Sequence, residues 1–236
     1  MQNKIRRVAH KSTWCALLLS GALVGCSTTS TPEGVMPAVS HDGLTLIKET
    51  RSTVVYKKAA VDFGAYSTIQ IQPSQVAFKK DWQRDYNRSA VSLSDRISDK
   101  DVSNIKTVVS QLFDEVFSTE FGEVGGYPLV QTPEKGTLLL RPFIINLDVY
   151  APDINSSTRG RTYVESTGQA TLYLEIYDGV SGEILARVSN AQEAGDNGYH
   201  QWANRVTNRA DAKRVMKKWA QTLRVSFDKA QGKEVK

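Results

Sequence analysis

The sequence predicts a single α+β domain, a mostly antiparallel sheet with two main helices packed on one face. Three observations predict it. Ala170 to Tyr177 alternates apolar and polar residues, the period of a half-buried strand. Two long segments, Val102 to Phe117 and Thr207 to Ala230, repeat apolar residues at helical spacing. Strands precede the first helix, a run of adjacent strands follows it, and a helix ends the chain, an order that indicates α+β.

The elements follow in order. Thr53–Tyr56 and Tyr66–Gln72 read as strands, the second ending at Pro73. Ser98-Asp99-Lys100-Asp101 resembles a capping box, which starts a helix by satisfying its first backbone N–H groups. Val102, Ile105, Val109, Leu112 and Val116 then form an apolar stripe that Phe113 and Phe117 widen. Gly122 and Gly125-Gly126 are expected to stop this helix. Thr137 to Val149 is apolar on both faces, as in a central strand, and Pro142 predicts a bulge or an edge there. The strand from Ala170 to Tyr177 turns at Asp178-Gly179-Val180-Ser181-Gly182 and returns over Glu183–Ser189. In the last helix Ala212, Met216, Trp219, Leu223 and Phe227 share one face, which makes Trp219 a core residue.

The chain has 236 residues, 40% hydrophobic and 23% charged, a globular balance. Its formal charge of +5 is misleading. Lys4, Arg6, Arg7 and Lys11 lie near the start, and removing them from 30 leaves 26 basic against 25 acidic side chains. The excess therefore belongs to a leader and is no argument for nucleic acid.

Residues 1–25 have the form of a secretory signal peptide: a basic start, a short apolar run from Trp14 to Leu23, then small residues. That run is too short to span a bilayer, which takes about 20 apolar residues. Leu23-Val24-Gly25-Cys26 looks like a bacterial lipobox, the motif at which a lipoprotein precursor is acylated on Cys and cut before it. Cys15 falls in the leader, so Cys26 is the one Cys of the mature chain and the expected lipid attachment point. That leaves no thiol for a disulfide or a Cys metal site. Two or more acyl chains, palmitate among them, hold a protein stably to a membrane. Ser27 follows where inner-membrane lipoproteins of many Gram-negative bacteria carry Asp, so the resemblance implies the outer membrane, with the domain in the periplasm. Residues 26–42, rich in Ser, Thr, Pro and Gly, read as the lipidated Cys and a flexible tether. Residues 43–230 are the expected domain and 231–236 a disordered tail.

Several runs carry a family resemblance: His41-Asp42-Gly43-Leu44, the strand Tyr66–Gln72, the segment Ala77–Arg88, the hairpin Leu174–Ala186 and Trp219-Ala220. Together they resemble the bacterial lipoprotein family of domain of unknown function 3313, over roughly His41 to Asp228. The resemblance implies an exported, lipid-anchored protein and names no activity.

The search for chemistry finds little. His10 is in the leader, which leaves His41 and His200, too few for a His metal site. No G-x-S-x-G, H-E-x-x-H, P-loop or G-x-G-x-x-G motif occurs. The pairs Asp81/Asp85 and Asp114/Glu115 have no distinguishing context. No catalytic residue, metal or cofactor is assigned. Two regions stand out as partner surfaces. Phe78, Trp82 and Tyr86 recur every four residues, with Lys79, Lys80, Arg84 and Arg88 between them. On a helix they form either an aromatic contact stripe with a basic border or a stripe that pins the segment to the core. In Gly195 to Trp202, Tyr199, His200 and Trp202 sit in a loop composition suited to recognition or to capping the core. The basic side of the last helix, from Arg209 to Arg224, reads as a solvated face, with membrane-surface contact as the alternative.

These readings lead to a non-enzymatic binding or assembly module of the cell envelope. Its expected partners are the membrane, through the lipid, and an envelope protein or peptidoglycan. The alternatives are a periplasmic hydrolase of cell wall or glycan, which needs convergent acids in a cleft, and a carrier of a small or lipid-like ligand, which needs a large apolar pocket.

Overall fold

The computed structural model describes residues 36–150, 152, 162–164, 166–195, 201–203 and 205–233. Residues 36–236 form one compact unit. The fold is α+β: an open sheet of seven strands, mostly antiparallel, with helices on one face.

The long strands are β5 (Thr137–Val149), β7 (Gly168–Asp178) and β8 (Ile184–Ala194), paired antiparallel as β5-β7-β8. β1 (Thr45–Glu49) and β2 (Thr53–Lys57) extend the sheet beyond β8. On the other side β3 (Thr68–Ile71) and β4 (Gln75–Phe78) run parallel to β5, one after the other. A small separate pair is formed by β6 (Thr162–Val164) and β9 (Gln201–Ala203).

Pro142 sits inside the sheet, in register with Leu174, and not at an edge. The Leu140 carbonyl faces β3 and accepts from Gln72 N at 2.9 Å. Two residues on, the Pro142 nitrogen faces that same side, where Pro73 and Ser74 separate β3 from β4. A residue without an N–H therefore fills a position that has no ladder partner. The β5 bulge lies further on, where the register shifts between Ile145 and Asp148 and Asn146 takes φ +52°.

The alternation along β7 sorts the sheet into two faces. Leu172, Leu174 and Ile176 are buried under the helices, while Tyr173, Glu175 and Tyr177 are half-exposed on the other face. Helix α1 (Trp82–Ser89) follows β4. Helix α2 (Asp99–Ser118) starts with the expected capping box: Ser98 Oγ accepts from Asp101 N at 3.3 Å, and Asp101 accepts from Ser98 N at 2.9 Å. Its stripe buries Leu112, Phe113, Val116 and Phe117. Gly122 does not stop it. The chain continues in a π turn, Thr119–Val124, and ends at Gly125. This keeps Phe121, fully buried, in line with Phe113 and Phe117. Helix α3 (Arg205–Ala230) lies beside α2 over the sheet, with Met216, Trp219, Ala220 and Phe227 in the core.

The domain begins before residue 43. Pro37 O accepts from Tyr56 Oη at 2.8 Å, Val39 pairs with Thr45, Leu44 is buried, and Asp42 binds Arg187. Residues 37–42, assigned to the tether by composition, are thus a strap on the sheet. At the other end Gln231 Nε2 donates to Phe63 O at 3.1 Å, so the last contacts lie past residue 230.

Candidate functional site

The first stripe proposed as a contact surface is instead packed. Phe78 ends β4 and Trp82 opens α1, their rings stacked at 4.1 Å. Trp82 is 6% exposed and its Nε1 donates to Val149 O at 3.2 Å. Tyr86 lies 5.9 Å beyond, half-buried, and burial raises its pKa. The four-residue spacing thus pins a short helix to the end of β5. Trp82 offers no surface for a partner, because its ring and its N–H are both used inside. Arg84 and Arg88 remain exposed. Arg84 pairs with Asp81 and Asp85, and Arg88 reaches Asp85 at 3.9 Å. Tyr199 and His200 lie outside the described residues, as do Cys26 and residues 1–25. Trp202 is placed by its backbone in β9, opposite Tyr163.

The acids are tied up in three places. Arg224 Nε donates to Glu120 at 2.9 Å, and its Nη1 binds Asp228, which also accepts from Tyr127 Oη at 2.8 Å. All four residues are buried, and the network joins α3 to the π turn. On the open face of the sheet Arg187 binds Asp42, and Glu175 lies 3.8 Å from it. Tyr177 Oη donates to Glu175 at 2.8 Å. Asp211, 2% exposed, accepts from Thr167 Oγ1 at 3.1 Å and pairs with Arg214. Of the pairs singled out by sequence, Asp114 accepts from Ser74 N and Glu115 bridges to Arg209 and Lys213. Among the described residues no three His, Cys, Asp or Glu converge as metal ligands.

A groove of about 630 Å³ lies between α2 and α3, with the sheet as its floor. Ile105, Val108, Val109 and Leu112 form the α2 wall, at i, i+3, i+4 and i+7. Ala212, Val215, Met216 and Trp219 form the α3 wall, and Ile144, Leu147, Gly168 and Ala170 the floor. Glu115 of α2 meets Arg209 and Lys213 of α3 beside it. Val108, on the α2 wall, is 49% exposed. The lining acids are already engaged, Asp101 in the α2 cap and Asp148 with Lys79 Nζ at 3.0 Å. Apolar walls of this kind exclude water from what lies between them.

Sequence reasoning placed most of these residues on helical faces but assigned both faces to the core. The groove could be found only from how α2 and α3 pack on the sheet.

The arrangement defines an α+β domain with a two-helix groove over one face of its sheet. The chain belongs to the family described as protein of unknown function, DUF3313, whose profile matches residues 39–223. No curated protein matches it. Among solved structures it is similar to a PelC dodecamer from Paraburkholderia phytofirmans, at 9% identity over 78% of this chain and 99% of that one, TM-score 0.35. A DUF4136 family protein from Bacteroides thetaiotaomicron matches at 11% identity over 75% and 98%, TM-score 0.33. A PDZ domain protein from Parabacteroides distasonis matches at 13% over 72% and 35%, TM-score 0.35.

Proposed function

We propose that the chain is a lipid-anchored, non-enzymatic binding module of the bacterial envelope, and that the α2–α3 groove is its binding site for an apolar ligand. The observation that carries this reading is the groove itself, about 630 Å³ walled by two apolar helix faces. Its size falls in the range of small-molecule sites, roughly 300–1,000 Å³. The anchor is acylated Cys26, supported by Leu23-Val24-Gly25-Cys26 and by the tether that follows. Ser27 supports the outer membrane, with the domain in the periplasm. This brings the carrier alternative to the front, since an apolar pocket is what it required.

The test is the organic extract of the full chain purified from membranes. The reading expects a bound apolar molecule in the wild type, beyond the acyl groups on Cys26, and its loss in Val108→Glu. An extract identical in the two proteins contradicts it.

A further inference from the structure

The groove has an asymmetric rim. Between residues 209 and 218, α3 carries Arg209, Lys213, Arg214, Lys217 and Lys218, all exposed. Arg209 lines the groove itself, and positions 209, 213 and 217 stack at i, i+4 and i+8 beside it. The acids on this rim do not balance the cations. Glu115 serves both Arg209, at 3.2 Å, and Lys213, at 3.1 Å. Asp211 pairs with Arg214, while Lys218 Nζ donates to the neutral amide of Gln192 at 2.9 Å. Among the described residues five cations thus face two carboxylates. Of the acids that line the groove, Asp101 is held by Ser98 and Asp148 by Lys79. An apolar trough with a cationic border on one side complements one kind of molecule: a hydrocarbon chain with a negative head.

We propose, resting on the groove reading above, that the ligand is the acyl chain of an anionic membrane lipid. The chain lies along Val108, Val109, Ala212 and Val215, which line the groove and keep open surface, and the phosphate head sits on Arg209, Lys213 and Lys217. A lipid-anchored domain stands within reach of such lipids, and juxtaposed Lys and Arg are drawn to anionic headgroups. Glu115 holds the two nearest cations at the rim in the absence of a head, and a phosphate replaces one carboxylate by a stronger acceptor.

The experiment uses the membrane-purified full chain in nanodiscs. These contain phosphatidylglycerol or phosphatidylcholine with the same diazirine-bearing acyl chain, and cross-links are mapped by peptide mass spectrometry. Cross-links are expected in 105–112 and 212–219. They should be at least about fivefold stronger for phosphatidylglycerol, the factor expected of one retained cation–headgroup attraction. Substituting Arg209, Lys213 and Lys217 together by Gln should bring the two lipids to parity with an unchanged melting midpoint. Val108→Glu should remove groove cross-links from both. Equal labelling of the groove by both lipids overturns the headgroup assignment and leaves the groove reading standing. A preference for phosphatidylglycerol that survives the triple substitution also overturns it. No groove labelling by either lipid overturns both.

Discussion

Trp219 Nε1 donates to Asn190 Oδ1 at 2.7 Å, a bond that ties α3 to β8. Asn190 also donates through Nδ2 to Thr53 Oγ1 at 2.6 Å, so the tie continues into β2. The indole is 5% exposed and belongs to the core, as its place beside Met216 and Leu223 on one helical face predicts. Trp219→Ala removes both the ring and the tie. Core Trp or Phe to Ala costs about 3–5 kcal/mol, and the melting temperature should fall accordingly. Asn190→Ala leaves a buried N–H without its acceptor and should cost about 1–3 kcal/mol.

Trp82→Ala should also destabilise the domain, by about 3–5 kcal/mol, because the ring is stacked on Phe78 and its N–H is spent on Val149. Arg84→Ala and Arg88→Ala should stay within about 0.5 kcal/mol, as exposed substitutions do. Urea melts of the three variants separate a packed stripe from a displayed one.

Arg224→Ala should be the most damaging charge removal in the chain. It leaves Glu120 and Asp228 buried without their cation, and breaking such a pair typically costs about 3–5 kcal/mol. Tyr127→Phe, which deletes one donor to Asp228, should cost about 1–3 kcal/mol. Chemical denaturation of both variants orders the two effects.

Asp42 has an acid-sensitive role. Burial pushes its pKa up, but the bonds from Arg187 and Ser40 outweigh that and lower it to about 2 from an ordinary 3.8. A carboxylate whose folded pKa is depressed stabilises the fold above its unfolded pKa and loses that contribution as pH falls through the folded one. The strap at 37–42 should therefore loosen between about pH 4 and pH 2. Asp42→Asn should be less stable at pH 7 and should lose less than the wild type between pH 5 and pH 2. Thermal melts along a pH series give both slopes.

What was legible in the sequence is what periodicity encodes. The capping box at Ser98, the α2 stripe, the β7 alternation and the Asp178 turn each repeat a local rule, and each stands in the structure. Two features were not legible. Gly122 reads as a stop, yet the π turn carries the chain through it because Phe121 packs against Phe117 and Phe227. The spacing of Phe78, Trp82 and Tyr86 is the same for a buried stripe and an exposed one, and only the position of β5 decides between them. The groove belongs to this second kind, since the space between two helices is a property of their packing and leaves no mark on either helix alone.

The most direct test of the groove as a binding site uses Trp219, which lines it. A palmitoyl chain brominated near its middle quenches indole emission on contact and should be titrated against the full chain. We expect saturable quenching in the wild type, most of it absent in Trp219→Phe and all of it absent in Val108→Glu. Quenching that is undiminished in Trp219→Phe, or no saturable quenching at all, contradicts the groove as the site of function.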